Sequence, residues 1–136
     1  MAAEIARLVA RDQAAGDAPL RVFLDEDLHN RRAPEGWLHV RTAQEAIALL
    51  DTGRVVELSL DHDLGDDLEF GTGRDVVRWL VEQSEVNGRD LWPNESIAVH
   101  SSNFSYGGQA MVGDIDRYCG LPRVRGRREW RAARAR

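Results

Sequence analysis

The sequence predicts an α/β fold in which helices cover a parallel β-sheet. Four short apolar runs of strand type, at 20–24, 37–40, 55–60 and 96–100, alternate with stretches of helical periodicity. Strands that alternate with helices are joined by right-handed crossovers, which give a parallel sheet with helices on both faces. A chain of 136 residues is long enough for one such domain with a core and too short for two.

The strand predictions rest on runs of apolar and β-branched residues that end in polar ones. Along the chain these runs read "LRVFL", "WLHV", "VVELSL" and "SIAVH". A weaker run, "LPRVRG" at 121–126, is the candidate for a further strand. We therefore expect a sheet of about five strands.

Three stretches that follow the second, third and fourth strands have the spacing of amphipathic helices. Thr42 and Glu45 form a capping box, and Gly53 ends the helix that this box begins. The segments 71–83 and 107–119 both begin at glycines and place their apolar residues on one side of a helix. Each stretch is therefore expected to cover the sheet with one apolar face.

The chain divides into three parts. Residues 20–125 hold the α/β domain, and residues 126–136 form an arginine-rich C-terminal tail. Residues 1–19 are predicted to form an N-terminal helical extension, because the apolar residues in 5–9 have helical spacing. No apolar run is long enough for a membrane span and no signal-peptide pattern is present, so we expect no membrane partner and a cytoplasmic location.

The type and position of the basic residues bear on nucleic-acid binding. All 18 basic residues are arginines, and seven of them lie in 123–136 together with one glutamate. We expect this basic segment to be a solvated helical or frayed tail, and nucleic-acid binding through it is the less favoured alternative.

Cys119 has no partner for a disulfide and no zinc-type spacing with histidines, so we expect it to pack in the core.

Polar side chains follow three of the predicted strands. Because the carboxyl ends of parallel strands meet at one edge of a sheet, we expect these side chains to converge there. They are Asp25, Glu26 and Asp27 after the first strand, Asp61, His62 and Asp63 after the third, and His100, Ser101, Ser102 and Asn103 at the end of the fourth.

This convergence predicts a site for a divalent cation and a phosphate. The predicted metal ligands are Asp25, Glu26, Asp61 and Asp63, with Mg²⁺ as the expected ion. The predicted catalytic residues are Asp61, His62 and His100, and the predicted substrate-binding residues are Ser101, Ser102 and Asn103. The alternative is that these residues are helix caps and solvated loop acids, and His29 and His39 are expected to be bystanders.

The order of these features resembles the receiver domain of response regulators. The resemblance matches Asp25 and Glu26 to metal-binding acids, Asp61 to the phospho-accepting aspartate, and Ser101 to the hydroxyl residue after the fourth strand. Receiver domains also use a lysine that holds the phosphoryl group, and this chain has none. An arginine such as Arg123 is the candidate replacement, although its broad fork of donors differs from a point charge.

A narrower family matches more of the motifs. The motifs "FLDEDL", "PEGW", "VRTAQEAIALL", "SLDHDLG", "TGRDVVRWL" and "VHSSN" together resemble the cyclic-phosphate-processing receiver-like domain of bacteria and phages, over about residues 21–118. The resemblance implies a receiver-like, flavodoxin-like α/β fold. It also implies a bacterial hydrolase that acts on a nucleotide-derived cyclic phosphate, such as the cyclic phosphate of ADP-ribose.

Two functions of different classes follow from these observations. The first is a metal-dependent cyclic phosphodiesterase or phosphoesterase in which Asp61 and His100 are essential. The second is a non-catalytic receiver-like module that binds a phosphate ligand or has a regulatory role. A phosphorelay receiver is a third and weaker alternative, because the chain lacks the lysine.

Overall fold

A computed structural model describes residues 18–25, 33–61, 73–100, 106–124 and 130–134. In chain order the elements are β1 (Leu20–Leu24), β2 (Leu38–Val40), α1 (Ala43–Leu50), β3 (Val55–Leu60), α2 (Gly73–Glu85), β4 (Ser96–Val99), α3 (Tyr106–Tyr118), β5 (Arg123–Val124) and β6 (Trp130–Ala133). These elements confirm the predicted α/β fold. The predicted N-terminal helix lies outside the described residues.

The strands form one six-stranded sheet in the order β2-β1-β3-β4-β6-β5. The first four of these strands are parallel neighbours, as the sequence predicts. β6 is antiparallel to both β4 and β5, so the sheet is mixed at this side. The predicted further strand exists as β5, but it is a two-residue strand at the edge and is separated from β4 by β6.

β6 lies in the arginine-rich segment, for which the sequence led us to expect a helical or frayed tail. Its side chains alternate, because Trp130 and Ala132 are 7% and 1% exposed whereas Arg131 and Ala133 are half-buried. Only residues 125–129 separate β5 from β6, and a connection this short joins antiparallel strands. Arg131 also approaches Glu57 to 3.6 Å, so this arginine is engaged within the domain.

The helix cap predicted at Thr42, at the start of α1, is confirmed. The Thr42 hydroxyl accepts a hydrogen bond from the Glu45 backbone N–H at 3.1 Å and donates one to the Glu45 carboxylate at 3.0 Å. Gly53 follows the helix with a φ of 74°, which favours glycine. Within the described ranges, no helix has the length and apolar character needed to cross a membrane.

The two faces of the sheet differ in what covers them. One face carries apolar side chains from the central strands, and it packs against the buried residues of α1, α2 and α3. The opposite face carries Arg21, Phe23, Glu57, Ser59 and Ser96, and no described helix packs on it. The helices predicted after the second, third and fourth strands therefore all cover the same face.

Cys119 packs in the hydrophobic core, as predicted, and it is a buried free cysteine. Burial raises the pKa of the Cys119 thiol, a hydrogen bond to the backbone of Leu121 lowers it, and the charge of Asp90 raises it further. The net effect is a higher pKa, so the thiol stays protonated at neutral pH. The thiolate is the reactive form of cysteine, and the native protein should therefore hold little of it.

We expect Cys119 to react slowly with a disulfide reagent such as dithionitrobenzoate at pH 7. The native protein should label more slowly than the urea-unfolded protein, because burial keeps the reagent from the thiol and holds its pKa above the ordinary value. Absorbance of the released thionitrobenzoate measures both rates. Equal rates in native and unfolded protein would show that the thiol is accessible.

Candidate metal centre

The centre is formed by the residues that directly follow three adjacent strands. Asp25 follows β1, Asp61 follows β3 and His100 follows β4. The backbone N–H of Asp61 donates to the Leu24 carbonyl at 2.9 Å, and the N–H of His100 donates to the Leu60 carbonyl at 2.9 Å. The parallel ladder thus continues one residue past each strand and places the three residues side by side.

The three side chains lie within contact distance of one another. His100 Nε2 is 3.0 Å from Asp25 Oδ2, and one ligand atom from each of Asp25, Asp61 and His100 lies within 4.8 Å of the other two. Asp25 and Asp61 are 0% and 5% exposed, and the His100 side chain is 9% exposed. Two carboxylates buried this closely require compensation by a cation or a proton.

Two residues of the preceding strands hold the His100 ring. The Ser59 hydroxyl lies 2.7 Å from His100 Nδ1. The Phe23 ring stacks on the imidazole with centroids 4.3 Å apart and an angle of 8° between the planes. Phe23 and Ser59 are register partners in β1 and β3, so both contacts come from the rigid part of the sheet.

His39, which the sequence led us to regard as a bystander, supports the same centre. Its Nε2 is 2.7 Å from the Asp25 carbonyl oxygen. A carbonyl only accepts, so Nε2 of His39 carries the proton and donates it. The His39 ring also meets the edge of Phe23, with centroids 5.2 Å apart and planes at 78°. His39 therefore fixes the backbone of Asp25.

The donor set fits a divalent cation. It contains two carboxylates and one imidazole, all of which bind divalent metals in proteins. Asp25 and Asp61 were predicted as metal ligands, and His100 was predicted as a catalytic residue. The other predicted residues lie outside the described part of the chain: Glu26, His62, Asp63, Ser101, Ser102 and Asn103.

Arg123, the candidate replacement for the receiver lysine, does not lie near this centre. Arg123 pairs with Ala132 of β6, and Ala132 pairs with Ile97 of β4. Ile97 is three residues before His100, so Arg123 lies well below the strand ends that carry the centre. It is also exposed on the edge strand β5, two strands away from β4.

Sequence reasoning predicted that Asp25, Asp61 and His100 converge, and they do, but it missed the contacts of Phe23 and Ser59 with His100. Both missed residues stand two positions before a site aspartate in the same strand, and side chains two apart share a face of the sheet. That spacing is the signal that could have identified them. His39 could not be found this way, because its contact depends on the register between β1 and β2.

The start of α2 packs directly against the centre. A Cβ atom at Gly73 would lie 2.9 Å from Met111 Cε and still closer to the Asp61 carbonyl oxygen. Only glycine therefore lets the first turn of α2 approach the Asp61 backbone this closely. The helix in turn limits how far Asp61 can move.

The parallel order β2-β1-β3-β4, with acids after β1 and β3 and a polar residue after β4, defines a receiver-like α/β domain. The family model of the cyclic-phosphate processing receiver domain matches residues 20–117, and the chain belongs to this family. This match confirms the resemblance seen in the sequence motifs. No curated protein and no solved structure matches the chain significantly.

We expect Gly73→Ala to destabilise the protein by about 1–3 kcal/mol, because the new methyl group overlaps the Asp61 backbone and Met111. Gly113→Ala is the matched control, since Gly113 lies in α3 with nothing near its Cβ position. This control should gain about 0.5–1 kcal/mol from helix propensity. Urea denaturation measures both, and a Gly73→Ala protein as stable as wild type would contradict the close approach.

Proposed function

We propose that the protein processes a nucleotide-derived cyclic phosphate by metal-assisted phosphoester chemistry. The observation that carries the proposal is the buried group of Asp25, Asp61 and His100 at the strand ends of a cyclic-phosphate processing receiver domain. Cyclic phosphates of ADP-ribose and of nucleotides are the substrates that we expect. A nucleotide-derived substrate agrees with the cytoplasmic, bacterial setting expected from the sequence.

Asp25 and Asp61 are the residues of the described chain that hold the cation, with Glu26 and Asp63 as further ligands suggested by the sequence. Mg²⁺ is the ion predicted from the carboxylates of the sequence motif alone. A cation bound there would supply positive charge that offsets the charge on the phosphoryl oxygens. Ser101, Ser102 and Asn103 follow His100 directly and are proposed to bind the same oxygens with their hydroxyl and amide groups.

Ring opening requires one bond to form and one to break. A water oxygen attacks phosphorus, and the ring P–O bond to the leaving alkoxide breaks; where Asp61 attacks instead, a water then cleaves the acyl phosphate and restores the carboxylate. The alkoxide takes a proton from His62 or His100, and the attacking water gives its proton to a carboxylate of the centre. Positioned acid–base groups of this kind typically contribute about 10²- to 10⁴-fold in rate.

The alternative is a non-catalytic receiver-like module that binds phosphate or regulates a partner. Its support comes from the burial of the two carboxylates, which are 0% and 5% exposed and so offer little surface to a substrate. A module of this kind would bind a phosphate ligand with a metal but would not turn it over.

We expect purified wild-type protein to open at least one cyclic phosphate in a divalent-metal buffer, as followed by phosphorus NMR. The panel contains ADP-ribose cyclic phosphate and 2′,3′-cyclic nucleotides. Asp61→Asn should lose at least about 100-fold in rate while keeping its circular dichroism spectrum, because it removes one charge from the centre. Asp116→Asn, which changes an exposed acid on α3, should keep the wild-type rate.

Three other results would redirect the proposal. Turnover that is equal in wild type and Asp61→Asn would place the chemistry elsewhere. No turnover with either Mg²⁺ or Mn²⁺, together with metal-dependent shifts of the ligand signals, would favour the binding module. A stable acyl phosphate on Asp61 after treatment with a small phosphodonor would indicate a phosphorelay receiver.

A further inference from the structure

We propose that His100 is a metal ligand through Nε2 and that Ser59 is the residue that positions it for this role. The site then selects a first-row transition ion such as Mn²⁺ over Mg²⁺. This inference rests on the metal centre of the proposed function and decides between two roles for His100. A ring nitrogen that binds a metal cannot also donate a proton, so the donor to the leaving alkoxide would be His62.

The position of His100 Nε2 supports the role of ligand. Nε2 is 3.0 Å from Asp25 Oδ2, and both residues belong to the group that also includes Asp61. An ion with bonds of about 2.1 Å has neighbouring ligand atoms about 3 Å apart when they lie at right angles. The two atoms therefore already have the spacing of adjacent ligands.

The Ser59 hydroxyl can bond His100 Nδ1 both with and without a metal on Nε2. Without a metal, Nε2–H donates to the Asp25 carboxylate at 3.0 Å, and the Ser59 hydroxyl bonds Nδ1 at 2.7 Å. With a metal on Nε2, the ring proton lies on Nδ1 and is donated to Ser59 Oγ. Ser59 Oγ can therefore pair with Nδ1 whether or not Nδ1 carries a proton. A hydroxyl can donate or accept, whereas a carbonyl at this position could not donate to Nδ1.

Contacts with the sheet fix the orientation of the His100 imidazole ring. Phe23 stacks flat on the imidazole, and the His100 backbone N–H is bonded to Leu60 at 2.9 Å. Ser59 itself lies within β3 and is 7% exposed. Residues that fix the second nitrogen of a metal-binding histidine typically change metal affinity about 10- to 100-fold when they are removed.

The nitrogen ligand determines which ions the centre prefers. Mg²⁺ binds oxygen ligands and keeps several waters, so it gains little from an imidazole. Transition ions bind imidazole readily, and a set of two carboxylates and one imidazole therefore favours them. Loss of Ser59 should weaken the binding of a transition ion and leave the binding of Mg²⁺ nearly unchanged.

Isothermal titration with Mn²⁺ and with Mg²⁺ tests this proposal on the full chain without measuring turnover. We expect wild type to bind Mn²⁺ at least about 10-fold more tightly than Mg²⁺. Ser59→Ala should lose about 10- to 100-fold in Mn²⁺ affinity and less than about 3-fold in Mg²⁺ affinity. Ser59→Thr keeps the hydroxyl and should restore Mn²⁺ affinity to within about 3-fold of wild type.

Ser96→Ala is the matched control. Ser96 is also a buried strand serine on the same face, but its hydroxyl bonds Glu57 at 2.8 Å at the opposite end of β4. The Mn²⁺ affinity of the Ser96→Ala protein should equal that of wild type.

Long-range ¹H–¹⁵N NMR of wild type adds a measurement that needs no variant. With diamagnetic Zn²⁺ bound, His100 Nε2 should carry no proton and Nδ1 should carry one.

The outcomes separate this inference from the proposed function. Unchanged Mn²⁺ affinity in Ser59→Ala, equal affinities of wild type for the two ions, or a proton that stays on Nε2 with Zn²⁺ bound would each overturn the inference alone. No binding of any ion by wild type would overturn the metal centre and the metal-assisted reaction together. If Ser59→Ala does not fold, the NMR result on wild type decides.

Discussion

The centre depends on a parallel hydrogen-bond ladder that continues one residue beyond the strands. The N–H groups of Asp61 and His100 donate to the carbonyls of Leu24 and Leu60 in the neighbouring strands. The backbone N–H of Asp25 likewise donates to the Val40 carbonyl oxygen, at 3.0 Å. Because each of these bonds is part of the sheet, the positions of the three side chains follow from the strand register and not from loop conformation. The geometry is therefore as rigid as the core beneath it.

The pleat of the strands explains why a polar centre and an apolar core lie so close together. Leu24, Leu60 and Val99 face the helices and are almost fully buried. The next residue of each strand turns to the opposite face, where Phe23 and Ser59 lie. The apolar core thus positions the centre through the shared strands, and the side chains of the core are not part of the centre. Substitutions that change the chemistry can be made on one face while the packing on the other face stays intact.

Much of this arrangement could be predicted from the sequence, and the missing parts have physical reasons. The Thr42 capping box and the positions of Asp25, Asp61 and His100 depend on local patterns, namely a cap and the ends of strands. The contacts of Ser59 and His39 depend on which residues are paired across strands, and a single sequence does not specify the register. β6 was missed because the arginines of its segment indicated a solvated tail, whereas the alternation of Trp130 and Ala132 with Arg131 and Ala133 is that of a strand.

The pairing of β4 with β6 has a consequence for the association of the protein with other chains. Val99 pairs with Trp130, which lies 31 residues further along the chain (130 − 99). Without β6, β4 would be an edge strand with unpaired backbone groups, although all of its residues are buried in the finished domain. Such an edge readily pairs with a strand of another molecule. By pairing with β4, β6 therefore protects the strand that precedes His100 from edge-to-edge aggregation.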